Sequence, residues 1–172
     1  MSEDTMNYCY LESPIGTLLI AGDESTIRRI EFPRKGTPGR PEPHWRESMR
    51  GPVAEAVRQL LEYFARKRTS FDLPLAPEGT PFQRSVWRHL QDIPYGETIS
   101  YGELAKRVGN PKASRAVGAA NGKNPLPIVI PCHRVIGSNG TLTGFGGGLP
   151  TKEALLGLEK NALAVPALAK GA

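Results

Sequence analysis

Apolar and polar residues follow a short period through the first part of the chain and a longer one after it. Tyr8-Cys9-Tyr10-Leu11, residues 17–21 and residues 26–32 are three runs rich in apolar, β-branched and aromatic side chains. Ser13-Pro14-Ile15-Gly16 and Gly22-Asp23 separate them. Such runs, punctuated by turn residues, predict a three-stranded antiparallel meander. Val53, Ala56, Val57, Leu60, Leu61 and Phe64 then recur at helical spacing, which predicts an amphipathic helix over 52–67. The Pro- and Gly-rich residues 33–45 between them read as a surface loop. Residues 71–75 read as one more short strand.

The second half is punctuated by helix starts. In Thr80-Pro81-Phe82-Gln83, Thr stands at the N-cap, Pro at the first helical position and Gln at the third, a capping box. Ser100-Tyr101-Gly102-Glu103 repeats the signal and opens a helix ending near Val108. Gly109-Asn110-Pro111 reads as a tight turn, with Asn110 capping a third helix that begins at Pro111 and runs to 121. Two helices joined by so short a turn predict a helix-turn-helix.

The second helix of that pair has small side chains. Ala113, Ala116, Val117 and Ala120 form the expected inward stripe, and Ser114, Arg115, Gly118 and Ala119 face outward. The outward face lacks the Asn, Gln and Arg array that reads base edges in the major groove. Only small residues bring a helix close to a minor groove about 6 Å wide. Arg115 is the one long side chain there, placed to enter the base stack or touch a phosphate. The expectation is DNA contact largely independent of sequence. The fold class is α/β (α+β). An N-terminal three-stranded antiparallel sheet with a helix spans 1–76, and a mostly helical domain containing the helix-turn-helix spans 77–172.

Composition changes this picture little. The 172 residues are 39% hydrophobic and 23% charged, which suits a folded domain pair. No apolar run approaches the ~20 residues needed to span a bilayer, and the acidic start Met1-Ser2-Glu3-Asp4 is not a secretion signal. The chain therefore reads as cytoplasmic and without a membrane partner, with its two cysteines as reduced thiols. A net charge of +5 weakly favours a polyanionic partner.

The chemistry concentrates in Pro131-Cys132-His133-Arg134. Ile128-Val129-Ile130 before it reads as a buried strand that Pro131 ends. That places the Cys132 thiol at a strand end with an imidazole beside it. A thiolate is a strong nucleophile, and a nearby His is the usual group that takes its proton. A buried structural cysteine beside an incidental histidine is the plain alternative for such a pair alone.

The residues around the pair decide between these. Ile130-Pro131-Cys132-His133-Arg134-Val135 resembles the active-site signature of the O6-alkylguanine-DNA alkyltransferase family. Ile99-Ser100-Tyr101, residues 110–118, Asn124-Pro125-Leu126-Pro127-Ile128 and the glycine run ending at Gly148 resemble the same family. The likeness covers about 80–160, and more loosely the N-terminal half through Ser13-Pro14-Ile15-Gly16. It implies transfer of an alkyl group from O6 of guanine, and from O4 of thymine, in double-stranded DNA to the protein's own cysteine. The transfer occurs once per molecule and without a cofactor, on a base flipped from the stack.

Carried across residue by residue, the resemblance makes Cys132 the acceptor and His133 its base, acting through a turn or a bridging water. Glu159 orients the His, and Tyr101 donates to the leaving base. Asn124 ties the nucleophile turn, Val135 offers a carbonyl to the guanine amino group, and Phe145 and Gly146 offer amides to O6. Arg115 fills the vacated stack, with Ser114, Ala116 and Gly118 along the DNA face. Asn121 departs from the pattern, standing where some members place an apolar residue against the base. Arg134 reads as a structural ion pair. Cys9 and His44 are too few Cys or His ligands for a structural metal in the N-terminal half, so no metal is expected. A monomer is expected.

Two other classes fit parts of this pattern. A module that recognises alkylated guanine without repairing it would lack a nucleophile, and Cys132 counts against it. A cysteine hydrolase usually draws its His from a distant part of the chain, and the adjacency of Cys132 and His133 counts against that.

Overall fold

The computed structural model describes residues 5–142, 145 and 147–162. The chain divides into two compact units, Met1–Glu78 and Gly79–Ala172.

In the N-terminal unit, β1 (Asn7–Ser13), β2 (Gly16–Gly22) and β3 (Ile27–Glu31) form the antiparallel meander. A two-residue strand, β4 (Arg46–Glu47), adds in parallel beside β1, so the sheet order is β3-β2-β1-β4. No periodicity marks β4, which is two charged, exposed residues paired with β1. Residues 18–21 on β2 are all buried, as expected for a strand covered on both faces. Helix α1 (Gly51–Phe64) packs on β1, β2 and β3 through Val53, Ala56, Leu60 and Tyr63. Leu61, assigned to the inward face by its spacing, is 50% exposed.

Residues 71–75 do not form the expected strand. They touch the sheet by one bridge, Ile27 to Leu75. The buried Gln59 side chain holds them instead, donating to Asp72 O at 3.0 Å and accepting from Asp72 N at 2.9 Å. Pro74 lacks the N–H that a longer ladder needs.

The C-terminal unit opens with α2 (Pro81–Leu90), whose capping box is complete: Thr80 Oγ1 accepts from Gln83 N at 3.1 Å and Gln83 Oε1 from Thr80 N at 2.9 Å. A short strand, β5 (Ile99–Ser100), leads directly into α3 (Tyr101–Val108). Ser100 Oγ caps Glu103 N, but the Glu103 carboxylate turns away to Arg107 Nε at 3.1 Å, so the second box is half made. Helix α4 (Ser114–Gly122) follows, and α2, α3 and α4 pack on one another. The buried Trp87 indole of α2 donates to Ala120 O at 2.8 Å.

The start of α4 departs from expectation. Asn110 does not cap it and Pro111 is not its first residue. Ala113 N bonds back to Asn110 O at 2.9 Å, so residues 110–113 close a separate turn, and Ala113 is the N-cap without a side-chain bond. Starting three residues later also rotates the helix. Ala116 is exposed beside Ser114 and Arg115, while Val117, Ala120 and Asn121 are buried. The α3–α4 turn rests on Gly109, which ends α3 at φ 95°, ψ 12°. That left-handed conformation suits glycine because it has no Cβ.

A second short strand, β6 (Val135–Ile136), pairs in parallel with β5, Ile99 against Val135 and Ser100 against Ile136. Helix α5 (Leu149–Ala162) completes the unit. Gly109→Ala is expected to lower the stability of this unit by about 1 kcal/mol, read as a shift in its urea midpoint. An unchanged midpoint would mean that the turn does not depend on the left-handed cap.

Candidate functional site

The nucleophile turn is not the end of a strand. Residues 128–130 are buried but irregular, joined by a lone Pro127–Ile130 bridge and an Ile130 N to Leu126 O bond at 2.8 Å. Pro125, Pro127 and Pro131 remove the donors a ladder would need. Ile128 sits at φ 75°, a region costly for a β-branched residue, by about 1–3 kcal/mol. Pro131 at φ −79°, ψ 67° makes a tight turn with Cys132 N bonded to Ile130 O at 2.7 Å. Cys132, His133 and Arg134 then form one turn of 3₁₀ helix, all three buried.

Asn124 builds this turn. Its Oδ1 accepts from Leu126 N at 2.9 Å and its Nδ2 donates to Ile130 O at 2.7 Å. The Asn124 amide favours the ionised form of the Cys132 thiol. Burial pushes that thiol up to about 11, against the pull of the Asn124 amide and of the positive charge on Lys152.

His133 is fully buried, and its Nε2–H donates to Glu159 Oε2 at 2.6 Å. Glu159 is 1% exposed and takes four hydrogen bonds, two on each oxygen. Arg134 Nε (2.9 Å) and Gly96 N (3.3 Å) donate to Oε1; Arg134 Nη2 (3.0 Å) and His133 Nε2 donate to Oε2. Burial alone would raise its pKa, but the His133 and Arg134 bonds and the charge of Arg134 hold it at about 2. Burial also pushes the His133 imidazole below its ordinary range, with Arg134 and Lys152 adding to the effect and Glu159 opposing it. At neutral pH the carboxylate is charged and the imidazole neutral, so its one proton is on Nε2. Nδ1 is then an acceptor, buried and unpartnered among the described residues. Arg134 is the structural ion pair expected of it, with Nη1 also bonded to Ile93 O at 2.7 Å.

Lys152 was not singled out in the sequence. It is fully buried on α5, and its Nζ donates to Val135 O at 2.7 Å. The same ammonium lies 5.9 Å from the Tyr101 ring centre and 6.0 Å from that of Phe145, within cation–π range. One cation thus gathers three of the predicted substrate contacts: Tyr101, Val135 and Phe145. The inward face of α5 is not purely apolar. Lys152, Leu155 and Glu159 are buried and Ala154 is exposed. A search for apolar spacing passes over a helix face that carries a Lys and a Glu inward.

Tyr101 is the first residue of α3, and a Cβ on Gly118 of α4 would lie 3.7 Å from its ring. Ser114, Arg115 and Ala116 are exposed on α4, and Gly118 is half-buried. Gly146 lies outside the described residues. A cavity of about 330 Å³, lined by Thr98, Ile136, Leu142, Leu156 and Glu159 among others, does not include Cys132 or Tyr101. It is therefore not the expected base entrance. Among the described residues no group of three or more His, Cys, Asp or Glu could hold a metal ion, and no helix is long and apolar enough to cross a membrane.

Acid should loosen this arrangement early. The folded chain resists protonating His133 below the ordinary value of 6.5, whereas the unfolded chain does not. Stability is full above that pH and falls below it. Glu159 adds a loss in the same direction between 4.5 and about 2. Urea midpoints of the C-terminal unit should drop from pH 7 to pH 5, and His133→Gln should flatten that stretch. A wild-type midpoint constant over this range would contradict the depressed imidazole.

Comparison with known proteins accounts for both units. Residues 81–161 match the DNA-binding domain of 6-O-methylguanine DNA methyltransferase, and residues 6–77 match its ribonuclease-like domain. A methylated-DNA–protein-cysteine methyltransferase of Methanosarcina acetivorans is 54% identical over 90% of this chain and 98% of its own length. The crystal structure of Mycobacterium tuberculosis O6-methylguanine methyltransferase aligns with TM-score 0.83 at 48% identity, covering 92% of this chain and 94% of that one. That of Mycobacterium tuberculosis OGT in complex with DNA aligns with the same score and identity over 91% and 94%. The chain belongs to the O6-methylguanine DNA methyltransferase family.

Proposed function

We propose that this chain repairs DNA by taking the alkyl group from O6 of guanine, and from O4 of thymine, onto Cys132. It does so once per molecule and without a cofactor, as a monomer in the cytoplasm. The observation that carries the reading is the neutral, buried imidazole of His133. Glu159 fixes its tautomer, and its other nitrogen is left as a buried acceptor on the residue next to Cys132.

The reaction is substitution at a saturated carbon. The Cys132 S–H bond breaks and its proton passes, through a bridging water, to His133 Nδ1. Sulfur forms a bond to the alkyl carbon as the carbon–O6 bond breaks, and the electron pair leaves on the base. The departing guanine takes a proton from the Tyr101 hydroxyl, which recovers one from solvent. Glu159 stabilises the imidazolium. Arg134 keeps Glu159 ionised while the site is buried. The buried Lys152 ammonium offsets the charge that develops on sulfur.

The target oxygen is out of reach in a stacked base, so the nucleotide must flip, at a cost of a few kcal/mol. The exposed α4 face of Ser114, Arg115 and Ala116, with Gly118 and Tyr101 behind it, suits a widened minor groove. Arg115 is exposed and holds no ion pair among the described residues, so it is available to occupy the gap.

Mixing the protein with duplex containing O6-methylguanine should add the mass of one methyl group, mapped to Cys132 and absent in Cys132→Ala. No mass gain in folded wild-type protein would overturn the reading. Arg115→Ala should slow transfer from duplex at least tenfold while changing transfer from free O6-benzylguanine less than twofold. Equal losses on both substrates would remove Arg115 from the stacking role.

A further inference from the structure

Two asparagines touch the nucleophile turn, and only one is fully used. Asn124 has both ends of its amide engaged by backbone. Asn121, in the last turn of α4 and 3% exposed, donates from Nδ2 to Cys132 O at 3.3 Å. That bond fixes the amide orientation, because a carbonyl accepts only from the nitrogen end. Asn121 Oδ1 is left as a buried acceptor with no partner among the described residues. Leaving such an oxygen unbonded is destabilising, whereas an apolar side chain of the same shape carries no such penalty. Buried polar atoms in native proteins are nearly always bonded.

His133 Nδ1, on the residue that follows Cys132, is in the same condition. Both atoms are acceptors, so neither can satisfy the other. A species with two donors can satisfy both, and water has two. Its lone pair then remains to accept from the Cys132 thiol, giving the three bonds typical of a buried water.

We propose that Asn121 is a positioning residue that holds, together with His133 Nδ1, the water through which the Cys132 thiol proton leaves. This rests on the reading of Cys132 as acceptor and His133 as base. With one O–H fixed on Asn121 Oδ1, the other is directed at Nδ1 and a lone pair at sulfur. When the thiol S–H bond breaks, its electron pair stays on sulfur and its proton goes to the water oxygen. The water gives its other proton to Nδ1 and is itself unchanged. Asn121 touches neither the base nor the alkyl carbon.

The test compares wild type with Asn121→Leu, which keeps the shape and removes both polar ends. Single-turnover methyl transfer from O6-methylguanine duplex and reaction of Cys132 with iodoacetamide are followed from pH 6 to 9.5. Asn121→Leu should slow both reactions about tenfold or more near pH 7. It should move the rise of both pH profiles upward, because hydroxide must then ionise the sulfur. Stability in urea should hold or increase. Unchanged rates and profiles would overturn the proposal. So would a loss confined to the DNA substrate, which would instead place Asn121 against the base. Failure of wild type to gain methyl would sink the repair reading, and the iodoacetamide profiles would still test the water. Should the variant not fold, a crystal structure of the unmodified wild type decides. A water within hydrogen-bond distance of Asn121 Oδ1 and His133 Nδ1 is expected. Oδ1 bonded to protein, or no water there, would overturn the assignment.

Discussion

Four hydrogen bonds converge on one buried carboxylate, and the chemistry of the C-terminal unit follows from them. Among the described residues, each Glu159 oxygen accepts two bonds. Its charge is matched by Arg134, which is held in turn by the carbonyl of Ile93. Because the carboxylate can only accept, His133 must present its proton on that side and its lone pair on the other. A loop residue (Gly96), two residues of the nucleophile turn and a helix residue are thus fixed by one functional group. Removing any donor would leave part of a negative charge stranded away from water.

The charge balance of the buried cluster points the same way. Glu159 and Arg134 cancel, His133 is neutral, and Lys152 remains as an ammonium beside Cys132. The resting site has one positive charge in excess, and ionisation of the thiol makes it neutral. Burial therefore opposes the thiolate through desolvation, while the composition of the cluster favours it through charge. The resting thiol stays protonated, with its pKa pushed up to about 11.

Much of this was legible in the sequence, where local rules dominate. The β1–β2–β3 meander, α1 and the Thr80 capping box follow from period, turn residues and capping chemistry, all of which act within a few residues. The residues around the Cys132–His133 pair carried the resemblance to the family to which the chain belongs. The misreadings share a cause: non-local satisfaction of polar groups. β-Branched residues 128–130 predicted a strand, but three prolines and the side-chain bonds of Asn124 made them a turn. Helix α5 buries Lys152 and Glu159, against any apolar spacing, because partners for both arrive from the Cys132–Arg134 turn and from β6. β4, β5 and β6 are two-residue strands that no period can reveal. Asn121 attracted notice only as a departure from pattern, and its contact with the Cys132 carbonyl could not be read from spacing.

The smallest sheet in the molecule has the widest reach. Ile99 and Ser100 pair with Val135 and Ile136; the next residue after the first strand is Tyr101, and the residue before the second is Arg134. Two rungs of backbone ladder thus tie α3 to the turn that bears the sulfur. A slip of that pairing by one residue would shift one against the other by about 3.3 Å along the strand. Tyr101 and the Cys132 turn therefore share one mechanical frame.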